Sequence, residues 1–327
     1  MKNRYIVLVF ILICGLNFCA SAQTKFLTTP TLFLYTLKGG EEGEEDEEEL
    51  QFNQPQDVAV APNGNVYIAD TVNRRIQIYN DKGEFVFVFG TEGTEDEEFL
   101  NPNGVGVDAE GKIYVADPQL NQIKIFTPDG EFFSKFDLKA GRHRSPQGIK
   151  EDSLTGANDV CVDSQGNIWV ADVDDQLLEV HDKDGNYRFI VNVFEIDGKQ
   201  RGLVRPAYIA VNSHDEVYVS CGIISRIYRF DNTGNFLTEF GGQGDVAGLF
   251  GQTAGIAIDE MDRVYVADIA KGNIQVFDRE GKFLFALSDE KGGRMDLTTI
   301  GGIAARKERV YISELLRHRI SVWKFKK

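Results

Sequence analysis

A short apolar segment that ends in an acid recurs along this chain. Residues 66–70 read VYIAD, and five related segments follow at intervals of 46 to 55 residues, ending at Asp117, Asp172, Cys221, Asp268 and Glu314. This period is typical of β-propeller blades, in which each repeat is a small sheet that cannot bury both of its faces alone. The repeats therefore predict an all-β fold, a six-bladed β-propeller of four-stranded antiparallel blades.

Turn residues divide each repeat into four predicted strands. In the first repeat these are DVAVA at 57–61, VYIAD, RIQIY at 75–79 and FVFVFG at 85–90, separated by turns such as APNGN and NDKGE. Gly and Asn supply the positive φ that tight hairpins require. Small residues hold equivalent places in the innermost strands, as expected where blades converge: Ala59, Gly106, Cys161, Ala210, Ala257 and Ala304.

The last repeat has no outer strand of its own. It ends after RHRISVWKF at 317–325, whereas TLFLYTLKGG at 31–40 resembles an outer strand and precedes the first inner strand. Pairing of these two segments would remove two exposed sheet edges. We therefore expect the ring to be closed by N-terminal strand pairing with the last blade.

The N-terminus has the features of a secretory signal peptide. Lys2 and Arg4 precede an apolar run at 5–18 and a small-residue site at 20–22, which favours cleavage after Ala22. The apolar run is shorter than the roughly 20 residues that cross a bilayer. We expect residues 1–22 to be removed, residues 23–327 to form a single propeller domain, and the product to be secreted or periplasmic.

Acidic residues outnumber basic ones in this chain. It contains 51 Asp plus Glu against 35 Lys plus Arg, a net charge of −16. Phosphate backbones attract clustered positive charge, so this balance argues against a nucleic-acid partner. Only Cys161 and Cys221 follow the signal segment, so a disulfide framework is not expected, and the protein is predicted to be a monomer.

The first repeat resembles the NHL repeat. The residues that carry the likeness are PxDVAV, then GNVYIADxxNxRIQIY and a closing glycine. The similarity extends over residues 31–327 and implies a six-bladed NHL propeller. Similar propellers serve as RNA-binding domains, extracellular sensor domains, scaffolds and metal-dependent lyases or hydrolases, so the resemblance implies a fold rather than one function.

The acids that end the repeated strands are expected to ring one face of the propeller. We name it the top face, because it carries the loops between second and third strands and the linkers between blades. The face with the other hairpin turns is the bottom face. Asp70 and its counterparts would form a cation-binding crown or would accept hydrogen bonds from the N–H groups of their own loops. Repetition in every blade favours the second interpretation.

The residues that begin the inner strands surround the predicted channel mouth and break the repeat. The candidate ligand-binding residues are Gln56, Asp57, Asn103, Asn158, Asp159 and Tyr208. Calcium prefers carboxylate and amide oxygens, so Asp57, Asn103, Asn158 and Asp159 form a candidate metal site, with solvated mouth residues as the alternative. No cofactor other than calcium is suggested. Related propeller hydrolases hold a metal near the axis, yet no motif here assigns a catalytic residue.

The linkers between blades carry opposite charges. Segments 41–49 and 92–98 are acidic, whereas Arg142, Arg144, Arg201 and Arg205 make the third and fourth linkers basic. If all lie on the top face, the basic linkers would cradle an anionic group or would be neutralised by acids of the same face.

The leading hypothesis is a secreted, non-catalytic binding or scaffold module for a protein, peptide or small ligand on the top face. The alternative is a cation-dependent hydrolase or lyase with a metal near the channel mouth. The predicted register does not bring the four histidines together, which argues against a catalytic zinc with three protein ligands.

Overall fold

The computed structural model describes residues 28–38, 51–139 and 156–326. The predicted signal peptide, the acidic run at 41–49, and Arg142 and Arg144 lie outside the described residues. The described chain is almost entirely β-structure, with two single-turn 3-10 helices, η1 (Thr71–Asn73) and η2 (Leu315–Arg317). No helix among the described residues is long and apolar enough to cross a membrane.

The first described strand is β1 (Thr28–Leu37). Four separate antiparallel sheets of four strands follow it. The first two sheets and the short parallel pair between them comprise β2 (Pro55–Val60), β3 (Val66–Asp70), β4 (Arg75–Tyr79), β5 (Phe85–Phe89), β6 (Thr91–Glu92), β7 (Glu98–Phe99), β8 (Gly104–Val107), β9 (Ile113–Asp117), β10 (Gln122–Phe126) and β11 (Phe132–Asp137).

The third and fourth sheets are connected by a short antiparallel hairpin. Their strands are β12 (Ala157–Val162), β13 (Ile168–Asp172), β14 (Leu177–His181), β15 (Tyr187–Asn192), β16 (Glu195–Ile196), β17 (Lys199–Gln200), β18 (Pro206–Val211), β19 (Val217–Cys221), β20 (Arg226–Phe230) and β21 (Phe236–Gly241). In each sheet the strands follow one another in chain order, as the sequence predicts.

The remaining strands form one eight-stranded sheet that also includes β1. They are β22 (Thr253–Ile258), β23 (Val264–Asp268), β24 (Asn273–Phe277), β25 (Phe283–Ser288), β26 (Ile300–Arg306), β27 (Arg309–Glu314) and β28 (Arg319–Phe325). The order across the sheet is β22-β23-β24-β25-β1-β28-β27-β26. The propeller-like fold is thus confirmed, whereas six separate blades remain a prediction, because the last two predicted repeats share a single sheet.

The inner strands are arranged around a common axis. Strand β2 contacts β8, and contacts continue through β12, β18, β22 and β26 back to β2. The inner strands meet closely: a Cβ added to Gly106 would collide with the carbonyl oxygen of Val160 in the neighbouring strand. This agrees with the prediction that only small side chains fit at this inner position.

The close approach of the inner strands gives a packing prediction. Ala257 is buried in an apolar cluster with Ile303 and Val310, so Ala257→Leu is expected to overpack this contact and cost about 1–3 kcal/mol of unfolding free energy. Lys82→Leu, on an exposed hairpin turn, is the control and should change stability much less. Urea unfolding of both variants measures the difference, and equal shifts would mean that the inner register is wrong.

The predicted closure by the N-terminal strand is confirmed. Strand β1 pairs with β28 in antiparallel register, from Thr31 opposite Phe325 to Leu37 opposite Ile320. Residues 28–30 add a contact that the sequence did not predict, because they pair in parallel with residues 286–288 of β25. The Thr31 hydroxyl also donates a hydrogen bond to the Ser288 carbonyl at 2.6 Å. One strand therefore joins the last two repeats to each other.

Candidate functional site

The inner strands surround a central cavity of about 180 Å³. Its wall includes residues from all six inner strands, and most of them are Val, Ile, Ala or Gly. Asp57 in β2 and Asp159 in β12 are the charged residues of the wall. The site predicted at the channel mouth is therefore adjacent to a real cavity.

Asp57 and Asp159 are buried rather than solvated. They are 6% and 5% exposed, and their carboxyl groups form a hydrogen bond to each other. For these two residues the alternative of solvated mouth residues was wrong, whereas Asn103 and Asn158 are partly exposed. The pair spans the first and third sheets, so it connects two inner strands that are not neighbours.

The two carboxyl groups also accept hydrogen bonds from main-chain N–H groups. Val105 N donates to Asp57 Oδ2 at 2.9 Å. Val160 N and Ile209 N donate to the two oxygens of Asp159 at 2.8 and 2.9 Å. Each aspartate therefore accepts from the inner strand that follows its own, which ties consecutive sheets together at the cavity.

Glycines make the room that the two carboxyl groups occupy. A Cβ at Gly104 would collide with Asp159, and a Cβ at Gly302 would collide with the Asp57 carboxylate. The lack of a side chain at these two glycines therefore leaves space for the neighbouring acids.

Burial sets the protonation of the carboxyl pair. It raises the pKa of Asp57 from its usual 3.8 to about 7. Burial, followed by the negative charge of Asp57, raises the pKa of Asp159 well above its ordinary value. The loss of hydration on burial and the mutual repulsion both disfavour two ionised carboxylates, so the state in which the pair shares one proton is favoured.

This shared proton predicts a pH dependence of stability. A carboxyl with a raised pKa binds its proton more tightly in the folded state, so its contribution is complete below about pH 4 and is lost as pH rises toward about 7. Asp57→Asn, which cannot ionise, should therefore gain stability relative to wild type between pH 5 and pH 8 by on the order of 2 kcal/mol. Urea unfolding at the two pH values measures this, and parallel changes in both proteins would contradict it.

Amide side chains form a ladder beside the carboxyl pair. Asn103 Nδ2 donates to Asn158 Oδ1 at 2.9 Å and to the Asn158 carbonyl at 3.1 Å. Asn158 Nδ2 in turn donates to the Ala207 carbonyl. The amide oxygen of Asn158 therefore already accepts a bond within the protein. Gln56, in β2, is partly exposed.

Tyr208 directly follows Ala207, whose carbonyl accepts the last hydrogen bond of the ladder. It is partly buried and packs against apolar clusters that join the fourth, fifth and sixth repeats. Burial, with the charges of Asp57 and Asp159, raises the pKa of Tyr208, so its hydroxyl stays protonated. The structure thus brings Asp57, Asp159 and Tyr208 together, as the sequence anticipated only by their shared position in the repeat.

The acids that end the second strands serve their own loops. Asp117 Oδ2 accepts from Leu100 N and Asn101 N at 2.8 and 3.0 Å. Asp268 accepts in the same way from Gly251 N and Gln252 N. All are buried: Asp70, Asp117, Asp172, Asp268 and Glu314. The local interpretation is confirmed for Asp117 and Asp268, where the acid holds the linker that leads into its sheet.

The basic linker residues that the structure describes have acidic partners. Arg201 lies 3.1 Å from Glu239, and Arg205 lies 3.7 Å from Asp174. Pairing within the face agrees with the second interpretation given for these charges. An anion-binding cradle that includes Arg142 and Arg144 stays a prediction.

The described residues hold no group of three or more His, Cys, Asp or Glu side chains arranged to bind a metal ion. Three of the histidines lie apart. His181 contacts Glu179 inside the third sheet, His214 lies near Asp262, and His318 Nδ1 accepts from Gln54 N.

Exposed aliphatic side chains on the top face were not identified from the sequence. Val72, Ile223 and Leu316 lie in equivalent loops after the second strands and are exposed, as are Leu203 and Val246 in two linkers. Alignment of the loops TVNR, GIISR and LLRHR would have shown an aliphatic residue at the same place. The candidate sites predicted from the sequence were based on the acids and the charged linkers instead.

Comparisons with known proteins agree with this architecture. The family profile described as NHL repeat matches residues 52–79, which include β2, β3 and β4. The chain thus contains an NHL repeat at residues 52–79. A second profile, SMP-30/Gluconolactonase/LRE-like region, matches residues 143–288.

The similarity to a curated relative is partial. The Protein brain tumor of Drosophila melanogaster is 30% identical over 139 residues, which is 42% of this chain and 13% of that protein. The chain thus spans a small part of the relative's length.

Two solved structures resemble the fold. A gluconolactonase from Xanthomonas campestris has a TM-score of 0.58 at 17% identity, covering 84% of this chain and 87% of that one. A streptogramin B lyase has a TM-score of 0.56 at 13% identity, covering 82% and 78%. At these identities the likeness shows the fold alone.

Proposed function

We propose that this protein is an exported, non-catalytic binding module whose top face holds a protein, peptide or small ligand. The observation that carries the proposal is the state of the mouth residues. Asp57, Asp159 and Asn158 are engaged by hydrogen bonds within the protein. A catalytic site would instead aim such groups at a substrate.

The exposed aliphatic side chains support binding at this face. Leu316 is 66% exposed, and Val72, Ile223, Leu203 and Val246 are also exposed on the top face. Exposed apolar patches on soluble proteins mark interaction sites, and these five side chains are distributed over one face of the propeller. The described cations nearby are paired with acids, so aliphatic contacts rather than net charge are expected to dominate the affinity.

A matched pair of substitutions tests the face. Leu316→Asp places a charge on the top face, and Met261→Asp places the same charge at a bottom-face turn with nearly equal exposure, 65%. A binding partner would be isolated from the organism's extracellular fluid by crosslinking, purified, and titrated with each variant. The proposal expects Leu316→Asp to weaken binding by about tenfold or more, which is 1.4 kcal/mol, and Met261→Asp to leave it unchanged. The reverse ordering would place the site on the bottom face.

The second candidate is a cation-dependent hydrolase or lyase. It draws support from one observation: two carboxylates that share a proton can exchange it for a cation. The fit is poor, because calcium takes six to eight oxygen ligands and the described mouth offers two carboxyl groups whose oxygens already accept main-chain bonds. The likeness to a lactonase and a lyase adds the fold only.

Metal analysis separates the two candidates. The mature protein, purified without chelator, is expected to contain no stoichiometric calcium or transition metal and to keep its melting temperature in EDTA. One equivalent of bound metal that is lost in Asp159→Asn would favour the enzyme and overturn the binding module.

Export and domain limits are part of the proposal. The basic start, the apolar run and the small-residue site support removal of residues 1–22, which leaves one domain from residue 23. N-terminal sequencing of the protein recovered from its native source should begin at Gln23. A product that retains the segment 5–18 would contradict the proposed processing.

A further inference from the structure

The outer strand of each sheet presents a free edge to the circumference of the propeller. Unpaired N–H and C=O groups on such an edge can accept another strand, and proteins guard them with charged residues, proline or a covering segment. Strands β11, β15 and β21 contain Lys135, Arg188 and Glu239 respectively. The edges of these three strands therefore carry a recognisable form of protection.

Strand β25 shows what happens to an outer strand without such protection. Its sequence is FLFALS, with neither charge nor proline. Residues 28–30 of β1 pair with its edge in parallel register, and Thr31 adds a side-chain hydrogen bond to Ser288. In this molecule an unprotected outer edge is covered by another strand.

Strand β5 likewise contains no charged residue and no proline. It reads FVFVF, and within the part of the chain that the structure describes its pairing partner is β4. Val86 is 44% exposed. The sides of the strand are packed, since Phe87 and Phe89 contact the turn at Gly130. What remains open at β5 is its main-chain edge and the valine beside it.

The charges around β5 indicate the kind of strand that would add there. Residues 81–97 contain six acids, Asp81, Glu84, Glu92, Glu95, Asp96 and Glu97, and one lysine, Lys82. All six acids are exposed and flank the ends of the strand. Two of them have basic partners within the protein, Glu92 with Arg74 at 3.4 Å and Asp96 with Lys135 at 2.8 Å. A second copy of this chain would bring the same acids and would be repelled, because like charges across a contact oppose association.

We propose that the open edge of β5 is a docking site for an extended strand of a partner protein, with apolar residues flanked by lysine or arginine. The strand would extend the first sheet through main-chain hydrogen bonds, and its basic flanks would meet the acids at 81–84 and 92–97. This site lies on the circumference, whereas the proposed function concerns the top face. A negative result for one of these two proposals would therefore not contradict the other.

The test uses the mature protein and a synthetic peptide in which alternating valine and threonine are flanked at both ends by paired lysines. Titration calorimetry measures the affinity, and hydrogen exchange follows the amides of β5. We expect binding with protection of β5. Val86→Lys should weaken it about tenfold or more, because a charge on an edge opposes strand addition. Leu237→Lys, at the equivalent place in β21 with 42% exposure, is the matched control and should bind as wild type does.

Two further peptides keep the test decisive if a protein variant proves unstable. A peptide with methylated main-chain nitrogens at alternate positions should lose binding to the wild-type protein, and one flanked by glutamates should bind more weakly. Failure of the lysine-flanked peptide to bind, equal binding by Val86→Lys, or equal binding by the glutamate-flanked peptide would each overturn the proposal. Dimerisation of the protein that Val86→Lys abolishes would also overturn it, since the occupant would then be a second copy.

Discussion

Removal of residues 23–38 is expected to leave the protein unable to hold its native fold at room temperature. The deletion removes β1 and thereby exposes the edges of β25 and β28. It also removes Leu37, which is buried in a cluster with Val58, Tyr311 and Ile320. Burial of a single leucine contributes about 1.5–3 kcal/mol, and the paired backbone adds to this. The sum approaches the total stability of an ordinary domain, about 5–15 kcal/mol.

The experiment includes a restoration step. Circular dichroism and urea unfolding of the deletion protein should show loss of the cooperative transition, and a synthetic peptide of residues 28–38 added in excess should bring it back by mass action. A shorter deletion of residues 23–27, which precede the strand, should leave the unfolding midpoint unchanged. If the longer deletion melts like the full mature protein, β1 does not close the ring.

Glu216→Ala is expected to cost about 3 kcal/mol of unfolding free energy, near the lower end for breaking a buried ion pair. Glu216 precedes β19 and accepts from Arg279 Nε at 2.7 Å, from Arg229 Nη2 at 2.9 Å and from Asn212 Nδ2 at 2.7 Å. Arg279 belongs to the turn before β25, so the cluster connects two neighbouring repeats. The substitution leaves two guanidinium groups without their carboxylate.

The pH dependence distinguishes this cluster from simple packing. Burial acts to raise the pKa of Glu216, but hydrogen bonds from Arg279 and Asn212 outweigh it and lower the pKa from 4.5 to about 2. The stabilisation is therefore complete above about pH 4.5 and is lost as pH falls toward 2. Wild type and Glu216→Ala should converge in stability over that interval. Asp184→Ala, which removes the acid of an exposed pair with Lys183, should cost less than about 1 kcal/mol.

The fold could be read from the sequence to the extent that it depends on local pattern. The repeated strands, their turns and the pairing of residues 31–37 with β28 follow from alternation, turn residues and the absent outer strand of the last repeat. The parallel pairing of residues 28–30 with β25 does not, because no pattern in either segment specifies it. It depends on where β1 crosses between two repeats, which is a property of the assembled ring.

The candidate site, too, could be predicted from the sequence only in part. Position in the repeat placed Asp57, Asp159 and Tyr208 near the axis. It did not show that the two carboxyl groups would touch, since that contact passes over Gly104 between the first and third sheets and depends on how closely the inner strands converge. The pairing of Arg201 with Glu239 could not be predicted for a similar reason, because Arg201 follows β17 whereas Glu239 lies in β21.

The pairing of β1 with β28 also orders events in time. Among the described strands, β1 is synthesised first and β28 last, so β1 stays unpaired with β28 until the other strands have been made. The four separate sheets can form as they emerge, but the ring cannot close on an unfinished chain. A product that stops early keeps an unprotected apolar strand, the kind of feature by which chaperones and proteases recognise incomplete proteins. The closing strand therefore makes a stable native state available only after β28 has been synthesised.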